Sequence, residues 1–268
     1  MPKIRRAGFR AAAMALLSIL VAGCSLIGAG HEDAMTQSGE LLDGSSGQDW
    51  PAYGRTYGEG HFSPLDQINT QNAGKIGLVS WLDLPAAPVA SQPIAVDGTV
   101  YMSTGLSIVR AVDPLTGKLL WTYDPEVAKV GGTKLIQGWG NRGIAYWNGK
   151  VYTGTIDGRL IAVDAKTGKE AWSAQTTVAG DGRYITGAPR VMNGRVVIGH
   201  GGADSSDVRG YVTAYDAETG KQLWRFYTVP GNPADGFENK AMEDAAKTWA
   251  GEWWKKGGGG TVWEAITY

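Results

Sequence analysis

The sequence lacks several features that define common protein classes. It has one cysteine, which excludes an internal disulfide, a cysteine-based zinc site and the Cys-x-x-Cys-His haem motif. Its 25 basic and 26 acidic residues give a net charge of −1, so it lacks the excess positive charge that favours nucleic acid as a partner. It also shows no glycine-rich phosphate loop and no Ser/His/Asp arrangement.

Long hydrophobic runs are absent as well. One apolar run, residues 11–22, follows a basic stretch, ends just before Cys24 and is too short to cross a bilayer as a permanent helix. It predicts an export signal over residues 1–24, followed by a flexible tether over residues 25–48. Cys24 is either the lipidated first residue of a lipoprotein or an incidental cysteine in an ordinary signal. Both alternatives predict a periplasmic location, and the first adds a membrane anchor.

Glycine and tryptophan, by contrast, are abundant in the sequence. The chain contains 40 glycines and 11 tryptophans, and 43% of its residues are apolar. This balance predicts a turn-rich all-β fold with enough apolar surface for a packed core.

A repeat is the strongest pattern in the sequence. The segment AVDPLTGKLLW at 111–121 recurs as AVDAKTGKEAW at 162–172 and as AYDAETGKQLW at 214–224, so the tryptophans lie 51–52 residues apart. Each period also contains an Asp-Gly or Asn-Gly pair typical of tight hairpins. About four short strands fit in one period, which is the size of one β-propeller blade.

The repeated side chains have structural interpretations. Trp121, Trp172 and Trp224 are predicted to dock each blade on the next, since a blade cannot bury its flat face alone. The repeated aspartates Asp113, Asp164 and Asp216 could bind metal. Because they recur in every unit, we predict that they hydrogen-bond the backbone of their own turns.

Stretches inside and outside the repeat resemble one family. They are residues 63–81, 121–129, 186–204 (TGAPRVMNGRVVIGHGGAD), 226–233 and 257–263 (GGGGTVW). Together they resemble the N-terminal half of the pyrroloquinoline quinone (PQQ)-dependent alcohol dehydrogenases, which are eight-bladed propellers. Eight blades of this period need more than about 400 residues. Residues 49–268 therefore provide about four blades, and we expect a truncated chain whose general-base aspartate lies beyond Tyr268.

The resemblance also implies site residues. Arg142 matches an arginine that binds a cofactor carboxylate, although an inter-blade salt bridge is the alternative. Asp204 stands where the family has a glutamate that ligates calcium. The other implied cofactor contacts are Thr186, Gly202, Ala203, Thr261 and Trp263, the last as the indole floor beneath the quinone.

Three departures from the family pattern predict a divergent subgroup. Many relatives have adjacent cysteines where this chain has Ile136-Gln137, and a Glu-x-x-Pro segment where it has residues 90–93. The third departure is Asp204 in place of glutamate. Trp139 is our candidate for a residue that caps the quinone in place of the missing disulfide.

The implied activity is oxidation of a small alcohol to an aldehyde or ketone, with PQQ and Ca²⁺ or a lanthanide. Electrons would pass to a separate acceptor, such as a cytochrome c or a quinone. The alternative is a non-enzymatic propeller lipoprotein of the outer-membrane assembly type, which has no need of Arg142 or Trp263. His200 is expected to be a surface or turn residue. Residues 243–256 are expected to form a short helix or a lid insertion, whose Trp253 and Trp254 either cover the site or, as we favour, pack on the propeller.

Overall fold

The computed structural model describes residue 41, residues 47–84, residues 91–264 and residues 266–267. The predicted signal segment, Cys24, Ala90 and Tyr268 lie outside these residues. Among the described residues no helix has the length and apolar character needed to cross a bilayer.

Twelve strands form three antiparallel sheets of four, each built from consecutive strands. The first sheet contains β1 (Ile94–Val96), β2 (Thr99–Thr104), β3 (Ile108–Asp113) and β4 (Lys118–Tyr123). The second contains β5 (Ala145–Trp147), β6 (Lys150–Gly154), β7 (Arg159–Asp164) and β8 (Glu170–Gln175). The third contains β9 (Arg190–Met192), β10 (Arg195–Ile198), β11 (Tyr211–Asp216) and β12 (Gln222–Tyr227).

The helices of the described chain are short, and they lie between strands or in the segments that flank the three sheets. Two are α-helical, α1 (Val127–Val130) and α2 (Lys240–Ala246). The 3₁₀ turns are Ala73–Lys75, Gly105–Ser107, Gly132–Gln137, Pro233–Asp235 and Trp253–Lys256. The predicted helix at 243–256 is thus split between α2 and the last 3₁₀ turn. Trp253 packs as expected, because its indole Nε1 donates to Pro230 O at 2.9 Å.

The all-β blade prediction is confirmed: the described residues form three complete four-stranded sheets, which are part of a propeller. The flanking described segments 47–84 and 228–264 contain no further strand. The first two strands of each sheet join through the predicted hairpins. Asp97 and Gly98, for example, have φ of 50° and 72°, the left-handed conformation of a type I′ turn.

Indole rings dock the sheets on one another. Trp121 Nε1 donates to Ala165 O of the second sheet at 2.8 Å, and Trp172 Nε1 donates to Ala217 O of the third at 2.9 Å. Each ring lies against the glycine of the next Thr-Gly-Lys turn: a Cβ on Gly220 would approach Trp172 to 2.6 Å. The docking prediction is therefore confirmed for Trp121 and Trp172, while Trp224 is 43% exposed and its docking role stays a prediction.

The repeated aspartates hold their own turns, as expected. Asp164 Oδ1 accepts from the Thr167 N–H and from Thr167 Oγ1, both at 2.7 Å, and Asp113 and Asp216 make equivalent bonds. Hydrogen bonding by Thr167 lowers the pKa of Asp164. Their role in the turn needs no metal.

The main core lies between the second and third sheets. Tyr152, Ile185, Ile198 and Tyr215 are buried there. Leu41, from the segment predicted as a tether, packs into the same core and accepts the Tyr57 N–H at 2.8 Å.

We predict that Gly220→Ala destabilises the fold more than Gly194→Ala. Both glycines have φ near +70°, which costs an L-residue about 1–2 kcal/mol. Only the alanine at 220 would also strike Trp172, which adds roughly 1–3 kcal/mol of overpacking. Chemical denaturation of the two variants measures the difference in the free energy of unfolding. Equal losses would contradict the docking role of the glycine.

Candidate functional site

One loop places Arg142 at the junction of the first two sheets. After α1 and the 3₁₀ turn Gly132–Gln137, the chain crosses to β5 with Gly138 O accepting the Leu106 N–H at 2.7 Å. Gly140 has a φ of +98°, and a Cβ on it would lie 2.5 Å from Thr104 O. Glycine is required there because the loop passes directly against the end of the first sheet.

Asn141 anchors this loop, and it is 1% exposed. Its Nδ2 donates to Thr153 Oγ1 at 2.7 Å and to Gly154 O at 2.8 Å, both in β6. Its Oδ1 accepts from the Ser103 hydroxyl of β2. The carboxamide therefore joins two sheets immediately beside Arg142, a role that the sequence analysis did not predict.

Arg142 is fixed to Thr186 by backbone and side chain together. Its N–H donates to Thr186 O at 2.9 Å, and its Nη1 donates to Thr186 Oγ1 at 3.0 Å. Thr186 is completely buried. In this structure the Thr186 hydroxyl serves to orient the guanidinium, and its direct contact with a cofactor stays a prediction.

Two indoles and one carboxylate surround the guanidinium of Arg142. Its Cζ lies 5.0 Å from the centroid of Trp139 and 5.3 Å from that of Trp263, within the range of cation–π attraction. Its Nε lies 3.2 Å from Glu264 Oε1. The structure thus brings together the predicted residues Arg142, Thr186 and Trp263, with Trp139, the candidate cap, beside them. Glu264 was not predicted.

The segment 257–263 reaches this group along a glycine-rich path. Gly257 to Gly260 all have φ between 72° and 82°, and the Gly210 N–H donates to Gly259 O at 3.0 Å. The Val262 N–H then donates to His200 O at 3.0 Å. This support leaves the Trp263 side chain 39% exposed. Thr261 is half-buried in the same segment, and its cofactor contact stays a prediction.

The 202–204 turn lies next to Tyr184, whose N–H donates to Gly201 O at 3.4 Å. Gly202 has a φ of +97°, and a Cβ on it would collide with Gly182 O, so the fold alone requires glycine there. Ala203 is buried and Asp204 is exposed. Burial raises the pKa of Tyr184, the charge of Asp204 raises it further and Arg142 lowers it, which places Tyr184 in the field of both groups.

His200 is completely buried, so of the two alternatives the surface position is wrong and the turn position fits. Its Nε2 accepts the Tyr211 N–H at 3.2 Å, and its Nδ1 therefore donates to Gly201 O at 2.9 Å. Burial lowers the pKa of His200 to about 4, so the ring is neutral at physiological pH. It holds the 199–204 turn to β11, and its backbone oxygen supports Val262.

The residues fit a flat, carboxylated cofactor. Arg142 already holds a carboxylate at an accessible position, and exposed indole surface lies beside it. A metal fits less completely. The described chain has no group of three or more His, Cys, Asp or Glu side chains able to hold an ion, and Asp204 would supply only one of the six to eight oxygens that Ca²⁺ takes.

Four-stranded blades docked by indoles, with an arginine–indole site at their junctions, define a quinoprotein-type β-propeller. A model of the family "PQQ: Glucose/ethanol/alcohol dehydrogenase, beta-propeller domain" matches residues 50–268. The chain belongs to this family, which confirms the resemblance drawn from the motifs.

Relatives with close sequences carry alcohol dehydrogenase names. The quinohemoprotein alcohol dehydrogenase ADH IIB of Pseudomonas putida is 49% identical over 255 residues, which are 94% of this chain and 36% of the relative. A crystal structure of the Comamonas testosteroni quinohemoprotein alcohol dehydrogenase aligns with 45% identity and a TM-score of 0.78, over 90% of this chain and 37% of that one.

A third similar structure is a europium-containing methanol dehydrogenase. It has 34% identity and a TM-score of 0.70, over 81% of this chain and 40% of that one. This chain spans about a third of the length of the curated relatives that it matches.

Removal of the Asn141 carboxamide is predicted to destabilise the chain. Asn141→Ala leaves the buried Thr153 hydroxyl and Gly154 carbonyl short of a donor, at a cost of about 3 kcal/mol. Asn141→Asp keeps the shape but loses the Nδ2 donor, so it should cost at least as much. The exposed Asn69→Ala should cost less than about 1 kcal/mol. A well-tolerated Asn141→Asp in chemical denaturation would show that hydrogen bonding is not what holds the loop.

His200 should make stability depend on pH. The unfolded state protonates this ring near pH 6.5, whereas the folded state resists protonation down to a pKa of about 4. Stability is therefore complete above pH 6.5 and falls as the pH drops, by about 2 kcal/mol between pH 7 and pH 5. Denaturation curves of the wild-type chain and His200→Gln across this window isolate the effect. If the wild-type chain and His200→Gln lose stability in parallel as the pH falls, the pH dependence does not come from His200.

Proposed function

We propose that this chain is the cofactor-binding part of a PQQ-dependent dehydrogenase that oxidises a small alcohol to an aldehyde or ketone. The observation that carries the proposal is the Arg142 site. There a fixed guanidinium pairs with a carboxylate, that of Glu264, beside the exposed indole of Trp263. PQQ is planar and carries carboxylates, so it matches both groups. Family membership over residues 50–268 favours this function over the lipoprotein scaffold.

Each residue has a distinct part in holding the cofactor. Arg142 would pair with a carboxylate. Thr186 holds its guanidinium, and Asn141 anchors the loop that carries it. Trp263 would stack under the ring system, with Trp139 beside Arg142 as the candidate cap. The edge of the PQQ ring system would lie against Gly202, Ala203 and Thr261. When bound, PQQ supplies the two-electron acceptor for alcohol oxidation.

The metal, acceptor and location belong to the same proposal. Asp204 would contribute one oxygen ligand to Ca²⁺ or a lanthanide, and the name of the europium-containing relative supports the latter as an option. Relatives named quinohemoproteins support a haem-type electron acceptor, such as a cytochrome. A periplasmic location follows from the N-terminal signal pattern, and anchoring would follow from lipidation of Cys24.

We predict that the chain binds PQQ and that Trp263→Ala weakens binding about tenfold. An aromatic stacking contact contributes about 0.5–1.5 kcal/mol beyond its buried area. Arg142→Gln should weaken binding more, because a charge-assisted pair is lost. Equilibrium dialysis against PQQ measures both effects without relying on tryptophan fluorescence.

Trp224→Ala is the matched control, since this indole is 43% exposed against 39% for Trp263 but lies at the edge of the third sheet. Its affinity for PQQ should equal that of the wild-type chain. If the wild-type chain fails to bind PQQ, or if all three variants bind equally well, the proposed function is wrong.

A further inference from the structure

We propose that Glu264 is an internal competitor for the cofactor, whose carboxylate occupies the anion position on Arg142 until a carboxylate of PQQ displaces it. This inference rests on the proposed function and concerns the same site. It assigns a role to a residue that neither the repeat nor the motifs single out.

The geometry makes Arg142 the fixed member of the pair. Its backbone N–H and its Nη1 are both bonded to the completely buried Thr186. The indoles of Trp139 and Trp263 contact the guanidinium as well. Arg142 therefore cannot leave this position without losing several contacts at once. An incoming carboxylate meets the guanidinium where it already lies.

Glu264 is the member that is free to move. Its side chain is 66% exposed, against 26% for Arg142, and its Oε1 lies 3.2 Å from Arg142 Nε. Ion pairs this open to water contribute little to stability, so a ligand with a better-placed carboxylate can replace this one. The pair satisfies Arg142 when no cofactor carboxylate is bound, and it is weak enough to be exchanged.

The position of Glu264 in the chain couples this exchange to the stacking residue. Glu264 directly follows Trp263. The backbone oxygen of Trp263 lies so close to Gly187 that a Cβ on Gly187 would be 2.7 Å from it. Because the backbone at Trp263 lies against the loop before β9, and the Val262 N–H is bonded to His200 O, the Glu264 side chain can swing away without moving the indole. Entry of the cofactor then replaces one carboxylate by another while the stacking surface stays in place.

The test is the affinity of the chain for PQQ with and without this carboxylate. Glu264→Gln should bind PQQ about two- to fivefold more tightly than the wild-type chain, because the competing pair is worth at most about that factor. Glu252→Gln is the matched control. Glu252 is also exposed and ion-paired, but with Lys255 at 2.8 Å, and its removal should leave the affinity unchanged.

A double-mutant cycle separates competition at Arg142 from general repulsion of an anionic ligand. In an Arg142→Gln background, Glu264→Gln should no longer tighten binding, because the shared guanidinium is gone. If the gain persists in that background, repulsion explains it and the competition is disproved. Unchanged or weaker binding by Glu264→Gln alone would also overturn the inference. In both cases PQQ binding by the wild-type chain would leave the proposed function standing, whereas its absence would remove that function first.

Discussion

The docking of an indole on the glycine of the next turn is the contact on which this structure depends. Trp121 and Trp172 repeat it between successive sheets, each with its Nε1 bonded to a carbonyl of the neighbour. Because the same contact sets the spacing of all three sheets, the loops between them meet at fixed junctions. Arg142 and Thr186 come from two such loops. Their relative position therefore depends on how the indoles dock the sheets.

Buried hydrogen bonds hold the loops that carry the exposed groups of the site. Asn141 joins β2 to β6 next to Arg142. His200 joins the turn after β10 to β11, next to the segment that carries Trp263. Neither side chain is exposed. The accessible groups, namely the guanidinium edge, the indole face and Glu264, are thus supported by residues that no ligand touches. A preorganised site of this kind loses little freedom when a flat anion binds.

Much of this arrangement could be predicted from sequence, because local spacing encodes it. The Asp-x-x-Thr-Gly turns, the hairpins and the docking of Trp121 and Trp172 follow from the repeat, and Arg142 and Trp263 follow from family motifs. Contacts between distant segments could not be predicted. The spacing of residues in the sequence does not predict that Glu264 pairs with Arg142, or that His200 is buried against Tyr211. Residue count alone also could not show that the described segments flanking the sheets make isolated bridges rather than further strands.

A crystal structure of the chain with PQQ tests the central claim most directly. The account predicts a cofactor carboxylate within hydrogen-bonding distance of Arg142, the ring system against Trp263, and Glu264 turned away from the guanidinium. Thr186 should still hold Arg142 as it does in the free chain. PQQ bound elsewhere, or bound at this site with the Arg142–Glu264 pair intact, would contradict the account.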